Sequence, residues 1–170
     1  MKNPRFYLVY AILVLVQMLI CNYFHLTPYI MLSILPVMVL CVPTRVSQIG
    51  TMLLAFGTGL LVDLLSEGLL GLNALALVPV AFARKGIVGL VFGEDLFVRG
   101  EDFSTRKHGF GKVTMAIFLV QALFLLVYIW ADGAGTRPLW FNAARFGASL
   151  LAGVAVSLLV AETLAPDTRK

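Results

Sequence analysis

The sequence predicts an all-α membrane protein that crosses the bilayer several times. Of its 170 residues, 60% are hydrophobic and only 13% are charged, whereas soluble domains are typically about half apolar and a quarter charged. The apolar residues form runs along the whole chain, and these runs approach the roughly 20 residues that a helix needs to cross the hydrocarbon core. A soluble protein is therefore excluded, and we expect a single transmembrane domain over residues 1–170.

Six apolar runs are candidates for membrane-spanning helices. We predict helices at 6–23, 26–42, 48–65, 69–91, 113–130 and 140–164. The second run is short, and Pro36 is expected to bend it. Because no small-x-small cleavage site follows the first run, we expect an uncleaved span there rather than a signal peptide. The polar segment 93–112 is predicted to be the long loop, on the cytoplasmic side.

The basic residues are divided unequally between the two sides that six spans define. Of the 13 Lys and Arg residues, only Arg137 and Arg145 fall on the side opposite the termini, which leaves 11 on the side that holds both termini. Cytoplasmic segments of membrane proteins carry the excess of basic residues. We therefore predict that both termini are cytoplasmic. The net charge of +4 reflects this asymmetry and does not indicate a nucleic-acid partner.

The fourth span contains a basic pair, Arg84 and Lys85, near its cytoplasmic end. Long basic side chains can extend from an apolar helix to the headgroups, so we expect both to reach the membrane surface. Residues 86–92 are then expected to lie in the headgroup region. The mixture of aromatic and charged residues that follows, in 92–103, indicates an interfacial cytoplasmic element.

An aspartate, Asp63, lies near the end of the third span, close behind two glycines. A carboxylate near hydrocarbon is costly, so Asp63 should face protein or a polar cavity. Thr51, Ala55, Gly59 and Asp63 recur every four residues and share one helix face, which suits close contact with a neighbouring helix. Asp63 could bind an ion, a proton or a substrate, or it could cap the next helix or bind a partner. We favour the second role because Asp63 is near the membrane boundary.

Small and amide residues in the spans also have two interpretations. Rows of small residues in the sixth span let helices approach closely, either within the bundle or against a separate transmembrane partner, and we favour the bundle. Lone amides could line a cavity or bond between helices, and we favour the bond. The rows are Ala144, Ala148 and Ala152, and Ser149, Gly153, Ser157 and Ala161; the amides are Gln17, Asn73 and Gln121.

The sequence offers no set of residues for enzymatic chemistry. His25 and His108 are isolated on opposite sides, so no Ser/His/Asp set can be assembled. Cys21 and Cys41 are predicted at opposite faces of the membrane, and neither belongs to a zinc-binding pattern. The glycine motifs that bind phosphates and dinucleotides are missing. We therefore predict no catalytic residue, no metal and no cofactor. A lipid-modifying enzyme is disfavoured because the acidic and basic groups of the spans lie at different depths.

The stretch 45–75 carries a specific pattern: Arg45, then Ala-Phe-Gly-Thr-Gly-Leu-Leu-Val-Asp at 55–63, then Leu-Gly-Leu-Asn-Ala-Leu at 70–75. This pattern resembles the signature of the rod shape-determining MreD family. The small size of that family, its roughly six spans and its cytoplasmic termini also match. The residues that the resemblance assigns to structure or partner binding are Arg45, Gly57, Gly59, Asp63 and Gly71.

The resemblance implies a fold and a function. The family is similar in fold to the substrate-binding subunits of energy-coupling-factor vitamin transporters, and no catalytic residue carries over. Its members lie in the bacterial inner membrane and bind MreC, a protein with one transmembrane helix. Through MreC they connect with cytoplasmic MreB filaments and the peptidoglycan synthases of the lateral wall. We therefore expect a scaffold of cell elongation, in contact with membrane lipid. The alternative is a substrate-binding subunit of a vitamin-type transporter.

Overall fold

The computed structural model describes residues 4–23, 30–66, 69–93, 109–133 and 137–164. Its helices, in chain order, are α1 Pro4–Tyr23, α2 Leu35–Leu40, α3 Gln48–Leu65, α4 Leu72–Phe92, α5 Phe110–Gly133 and α6 Leu139–Leu164. Every one of these helices except α2 is long and apolar enough to cross a membrane. The fold is therefore all-helical, and its five long apolar helices are those of a multi-pass membrane protein.

The second predicted span differs most from expectation. Residues 31–34 are not helical, and the helix that follows, α2, has only 6 residues. Pro36 lies in the first turn of α2, where the missing backbone N–H is not needed. The proline thus begins a short helix instead of bending a long one. The prediction of a helix over 26–42, bent at Pro36, is wrong for residues 30–34 and 41–42, and 26–29 lie outside the described residues.

Helices α1 and α3 run in the same direction. The Tyr10 hydroxyl lies 3.1 Å from Thr58 Oγ1. Further along both helices, the Asn22 side-chain amide donates to the Leu65 carbonyl oxygen at 3.2 Å. The chain between α1 and α3 must therefore return along the bundle, and α2 lies on that return path. We call the end of the bundle that holds Asn22 and Leu65 the far end, and the end where α1 and α3 begin the near end.

Helix α4 returns antiparallel to α3. At the near end, Gln48 Nε2 donates to the carbonyl oxygens of Ala81 and Phe82, both at 2.8 Å. At the far end, the Asp63 carboxylate accepts a hydrogen bond of 2.8 Å from the Asn73 side chain. The two helices are thus joined by polar contacts at both ends of α3, and they pack closely against each other.

The core of the bundle is mostly apolar, and α2 lies within it. Helices α4, α5 and α6 surround α2, and all six residues of α2 are buried. Large apolar side chains are exposed on the outside of every long helix. An exposed apolar surface of this extent would make a soluble protein aggregate, but it is the surface that the hydrocarbon of a bilayer requires.

Candidate functional site

Asp63 caps the start of α4. Its carboxylate is buried and accepts hydrogen bonds from the Asn73 backbone N–H at 3.1 Å, the Asn73 side-chain amide at 2.8 Å and the Ala74 backbone N–H at 3.2 Å. The first N–H groups of a helix have no partner inside the helix and carry partial positive charge. These donors offset the cost of burying the carboxylate. Asp63 therefore ties the end of α3 to the start of α4.

Two glycines make this connection possible. A Cβ atom at Gly59 would lie 2.5 Å from both the backbone nitrogen and the Cα atom of Ala74, which is too close for any side chain. Gly71 directly precedes α4 and has a φ of +89°, a conformation that glycine adopts without strain. Gly59, Asp63 and Gly71 together form a group that we call the α3–α4 turn.

Arg45 and Gly57 lie outside the α3–α4 turn. A Cβ atom at Gly57 would meet nothing within 4 Å, so packing within the chain does not require glycine there. Arg45 is exposed between α2 and α3 at the near end. From Gln48 to Asp63, α3 rises by roughly 22 Å at 1.5 Å per residue. The structure therefore brings three of the five sequence-predicted site residues together and leaves Arg45 and Gly57 apart from them.

A second group of polar contacts surrounds the non-helical residues 31–34, which we call the central segment. The Gln17 side chain, on α1, contacts its backbone twice. Gln17 Oε1 accepts from the Ile34 N–H at 2.8 Å, and Gln17 Nε2 donates to the Leu32 carbonyl oxygen at 3.3 Å. Backbone groups inside a membrane must find partners within the protein. Gln17 supplies partners that a regular helix would otherwise provide.

Side chains of α5 and α6 complete the contacts of the central segment. The Met31 N–H donates to Ser149 Oγ at 2.8 Å, and Gln121 Nε2 donates to the Ser33 carbonyl oxygen at 3.2 Å. A Cβ atom at Gly153 would collide with the Gln121 side chain, so this glycine makes room for the amide. Gln121 lies at the middle of α5, which places the central segment near the middle of the bundle.

Arg84 is buried where the return path approaches the near end. Its guanidinium donates to the carbonyl oxygens of Leu40 and Val42, with a distance of 3.1 Å from Nε to Leu40. The last carbonyls of a helix have no partner inside the helix and carry partial negative charge, so Arg84 stabilises the end of α2. The expectation that Arg84 reaches the headgroups is wrong, although Lys85 is exposed. Residues 86–92 continue α4.

The central segment is not apparent from the sequence, and neither are the hydrogen-bond partners of two amides. Gln17 and Gln121 bond to backbone groups rather than to side chains of other long helices. The available signal was Pro36, because proline is favoured in the first turn of a helix and so can mark the start of one within an apolar run. A break in an apolar run leaves backbone groups without helical partners, and buried amides in neighbouring runs are able to satisfy them.

Replacing Gln17 by Leu should destabilise the bundle. The change removes the acceptor of the Ile34 N–H and the donor to the Leu32 carbonyl. Each buried polar group left without a partner costs about 1–3 kcal/mol, so for the two groups we expect a loss of about 2–6 kcal/mol. Thermal unfolding of the detergent-purified protein measures this loss. Val16→Leu, at an exposed position of the same helix, is the matched control. Equal midpoints for the two variants would contradict the stabilising role of Gln17.

Other features of the described residues add no site. No group of three or more His, Cys, Asp or Glu side chains in this part of the chain could hold a metal ion. Cys21 and Cys41 are both free thiols. Comparisons of the chain with protein-family models, curated proteins and solved structures found no match. The function is therefore inferred from the residues and their contacts.

Proposed function

We propose that this protein is a non-enzymatic scaffold of bacterial cell elongation, of the MreD type. In this proposal it lies in the inner membrane with both termini in the cytoplasm. It binds an MreC-type protein through the single transmembrane helix of that partner, and so links MreB filaments to the peptidoglycan synthases of the lateral wall. The observation that carries the proposal is the residue pattern at 45–75, which resembles the family signature.

The contacts within that pattern support an architectural role. Gly59, Asp63 and Gly71 form the α3–α4 turn, where the Asp63 carboxylate is surrounded by donors from the start of α4. A carboxylate engaged in this way already has its hydrogen-bonding partners and offers fewer free lone pairs to an ion. This engagement favours a scaffold over a transport site at Asp63.

The directions of the helices support six membrane crossings. Since α1 and α3 are parallel, the chain that contains the central segment and α2 passes back between them, and the five long helices supply the other crossings. We propose that both termini lie at the near end, on the side where the sequence has most of its basic residues. Six crossings of this kind are similar to the transporter-subunit fold that the family resemblance implies.

The outward face of α3 around Gly57 is our proposed contact with the partner helix. Leu53 and Leu61 lie exposed one turn before and one turn after Gly57, and the missing Cβ atom leaves a shallow notch between them. Such a notch allows close approach of a second helix. The rows that contain Gly59 and Gly153 are less accessible, because both glycines are used inside the bundle.

Co-purification from a rod-shaped bacterial host tests this proposal. We expect the tagged protein to recover a single-span MreC-type protein from detergent, and we expect depletion to make the cells round. Gly57→Leu should reduce recovery about tenfold, because a bulky side chain in a close contact typically costs 1–3 kcal/mol. Gly147→Leu is the matched control, since a Cβ atom at this glycine of α6 would also meet nothing within 4 Å. Recovery of no single-span protein, or unchanged rods after depletion, would contradict the proposal.

The central segment favours one alternative, a substrate-binding subunit of a vitamin-type transporter. Non-helical backbone at membrane depth occurs where it is buried in protein or lines a cavity, and interrupted helices form the substrate sites of many transporters. Here, however, both polar atoms of the Gln17 amide are bonded to the backbone of the central segment. This amide therefore has fewer free hydrogen-bonding positions for a ligand. A vitamin that co-purifies with the protein, or that raises its unfolding temperature, would favour the alternative.

A further inference from the structure

Two arginines share one carboxylate where α5 ends and α6 begins. This place is at the far end of the bundle, because Tyr128 of α5 interacts electrostatically with Cys21 and Asp63 as well as with Asp132. Asp132 Oδ2, near the end of α5, lies 2.5 Å from Arg145 Nη1 and 3.0 Å from Arg137 Nη1. The side chains of Arg145 and Asp132 are 13% and 17% exposed, and that of Arg137 is 41% exposed. With two positive charges and one negative charge, this group, which we call the Arg–Asp–Arg cluster, has one positive charge in excess.

Arg145 has a donor that the ion pair does not use. It contacts Asp132 through Nη1, while its buried Nε has no acceptor within hydrogen-bonding distance among the described residues. A buried donor without an acceptor is unfavourable. The Nε edge of a guanidinium is the edge that binds two oxygens of a carboxylate or phosphate side by side. The cluster therefore combines excess positive charge with a donor suited to an oxyanion.

The position of the Arg–Asp–Arg cluster matches the depth of lipid headgroups. Trp130 and Trp140 lie beside it at the adjoining ends of α5 and α6, and both are exposed. Exposed tryptophans concentrate at the boundary between membrane and water. Arg137 lies over the Phe141 ring at 5.8 Å from the ring centre, and this contact holds the guanidinium against the apolar surface.

We propose that Arg137 and Arg145 bind the phosphate group of an anionic membrane lipid at the far end of the bundle. A phosphate diester has two free oxygens, which match the guanidinium edge of Arg145, while Arg137 supplies the second positive charge. Asp132 competes with the phosphate and keeps the two guanidinium groups close together. A lipid fits better than free phosphate because the exposed side chains of Leu139 and Trp140 are placed to contact its acyl chains.

Tryptophan quenching by brominated lipid tests the proposal at this end alone. The chain has only two tryptophans, and both lie at the far end, so lipid bound at the basic near end is not detected. The purified full-length protein is placed in phosphatidylcholine vesicles that contain brominated phosphatidylglycerol or brominated phosphatidylcholine. We expect a preference for phosphatidylglycerol of about fivefold, the factor typical of one basic residue near an anionic surface.

Variants of the cluster should change this preference in opposite directions. Arg137→Gln and Arg145→Gln should each reduce it toward one, whereas Asp132→Asn should raise it, because the competing carboxylate is removed. If the cluster were merely structural, the lipid preference would instead fall in all three variants, Asp132→Asn included. Lys85→Gln, on α4 toward the near end of the bundle, is the control of equal charge change and should leave the preference unaltered. Circular dichroism checks that each variant is folded. If Arg145→Gln does not fold, Arg137→Gln still tests the proposal, because Arg137 is exposed.

The outcomes that overturn the proposal are distinct from those that overturn the scaffold function. Equal quenching by the two lipids in the unmodified protein, or a reduced preference in Asp132→Asn, would show that the cluster does not bind an anionic lipid. Replacing sodium chloride by sodium phosphate at matched ionic strength should have no effect. Loss of the preference in phosphate would assign the site to free phosphate instead. None of these results depends on the presence of an MreC-type partner.

Discussion

Gly59→Leu should prevent the protein from reaching its folded state, whereas Gly57→Leu should leave the fold intact. At Gly59, a Cβ atom alone would lie 2.5 Å from backbone atoms of Ala74, and backbone cannot move aside as a flexible side chain can. Even Gly59→Ala would force α3 and α4 apart, and overpacking of this kind typically costs 1–3 kcal/mol or more. Leu adds further atoms to the same contact, so we expect a still larger loss.

The measurement compares the yield of monodisperse protein in detergent and its unfolding temperature for Gly59→Ala, Gly59→Leu and Gly57→Leu. Gly57 is the matched control, because it lies two residues away on the same helix and a Cβ atom there meets nothing within 4 Å. The replacements also separate folding from binding, since Gly57→Leu should lose the partner without losing the fold. A well-folded Gly59→Leu protein would show that α3 and α4 do not pack as closely as described.

Asp63→Ala should have the second largest effect on stability. Without the carboxylate, the Asn73 backbone N–H, the Asn73 side-chain amide and the Ala74 N–H lose their acceptor in a buried place. Loss of a helix cap alone costs about 0.5–2 kcal/mol. Because buried donors are left unsatisfied as well, we expect a total of about 2–4 kcal/mol. The start of α4 should loosen first, and faster hydrogen exchange of its first backbone amides would report this change.

Asp63→Asn is the control for the role of the acceptor. It keeps the shape of the side chain and one oxygen that can accept from the start of α4, so it should recover part of the stability that Asp63→Ala loses. If Asp63 were chiefly a charged site for an ion, the two replacements would be equally damaging to function and nearly harmless to unfolding temperature. Equal unfolding temperatures for Asp63→Ala and the unmodified protein would contradict the capping role.

The long helices are predictable because the bilayer requires long apolar runs with polar ends. The third span is an example: the sequence predicts 48–65, and α3 extends over Gln48–Leu65. Its start is marked by Ser47, whose hydroxyl accepts a hydrogen bond from the Gly50 N–H at 3.1 Å, a typical helix cap. Information of this kind is local, so it can be read from the residues at each end of a run.

The central segment and the burial of the Arg84 side chain against the end of α2 could not be predicted in the same way. The hydropathy of 26–42 does not distinguish a helix from extended chain, because both bury apolar side chains. The difference lies in where the backbone hydrogen bonds go, and their partners are Gln17, Gln121 and Ser149 on three other helices. Arg84 is similar, since its buried position depends on carbonyl groups more than 40 residues away.

The α3–α4 turn is an intermediate case. The repeat of Thr51, Ala55, Gly59 and Asp63 every four residues predicted a face for close helix contact, and the structure has α4 against Gly59 and Asp63. The repeat did not identify the neighbour, because a row of small residues is equally suited to any helix that approaches it. The requirement for Gly71 was clear only when its positive φ was known.

The central segment imposes an order on how the protein is made. Its Met31 N–H is bonded to Ser149 and its Ser33 carbonyl to Gln121, which follow in the chain by 118 and 88 residues. At a synthesis rate of 5–20 residues per second, Ser149 leaves the ribosome roughly 6–24 s after Met31. During that interval the Met31 N–H and the Ser33 carbonyl lack the partners that they have in the folded protein. The arrangement of the first half of the protein is therefore complete only when the last two helices arrive.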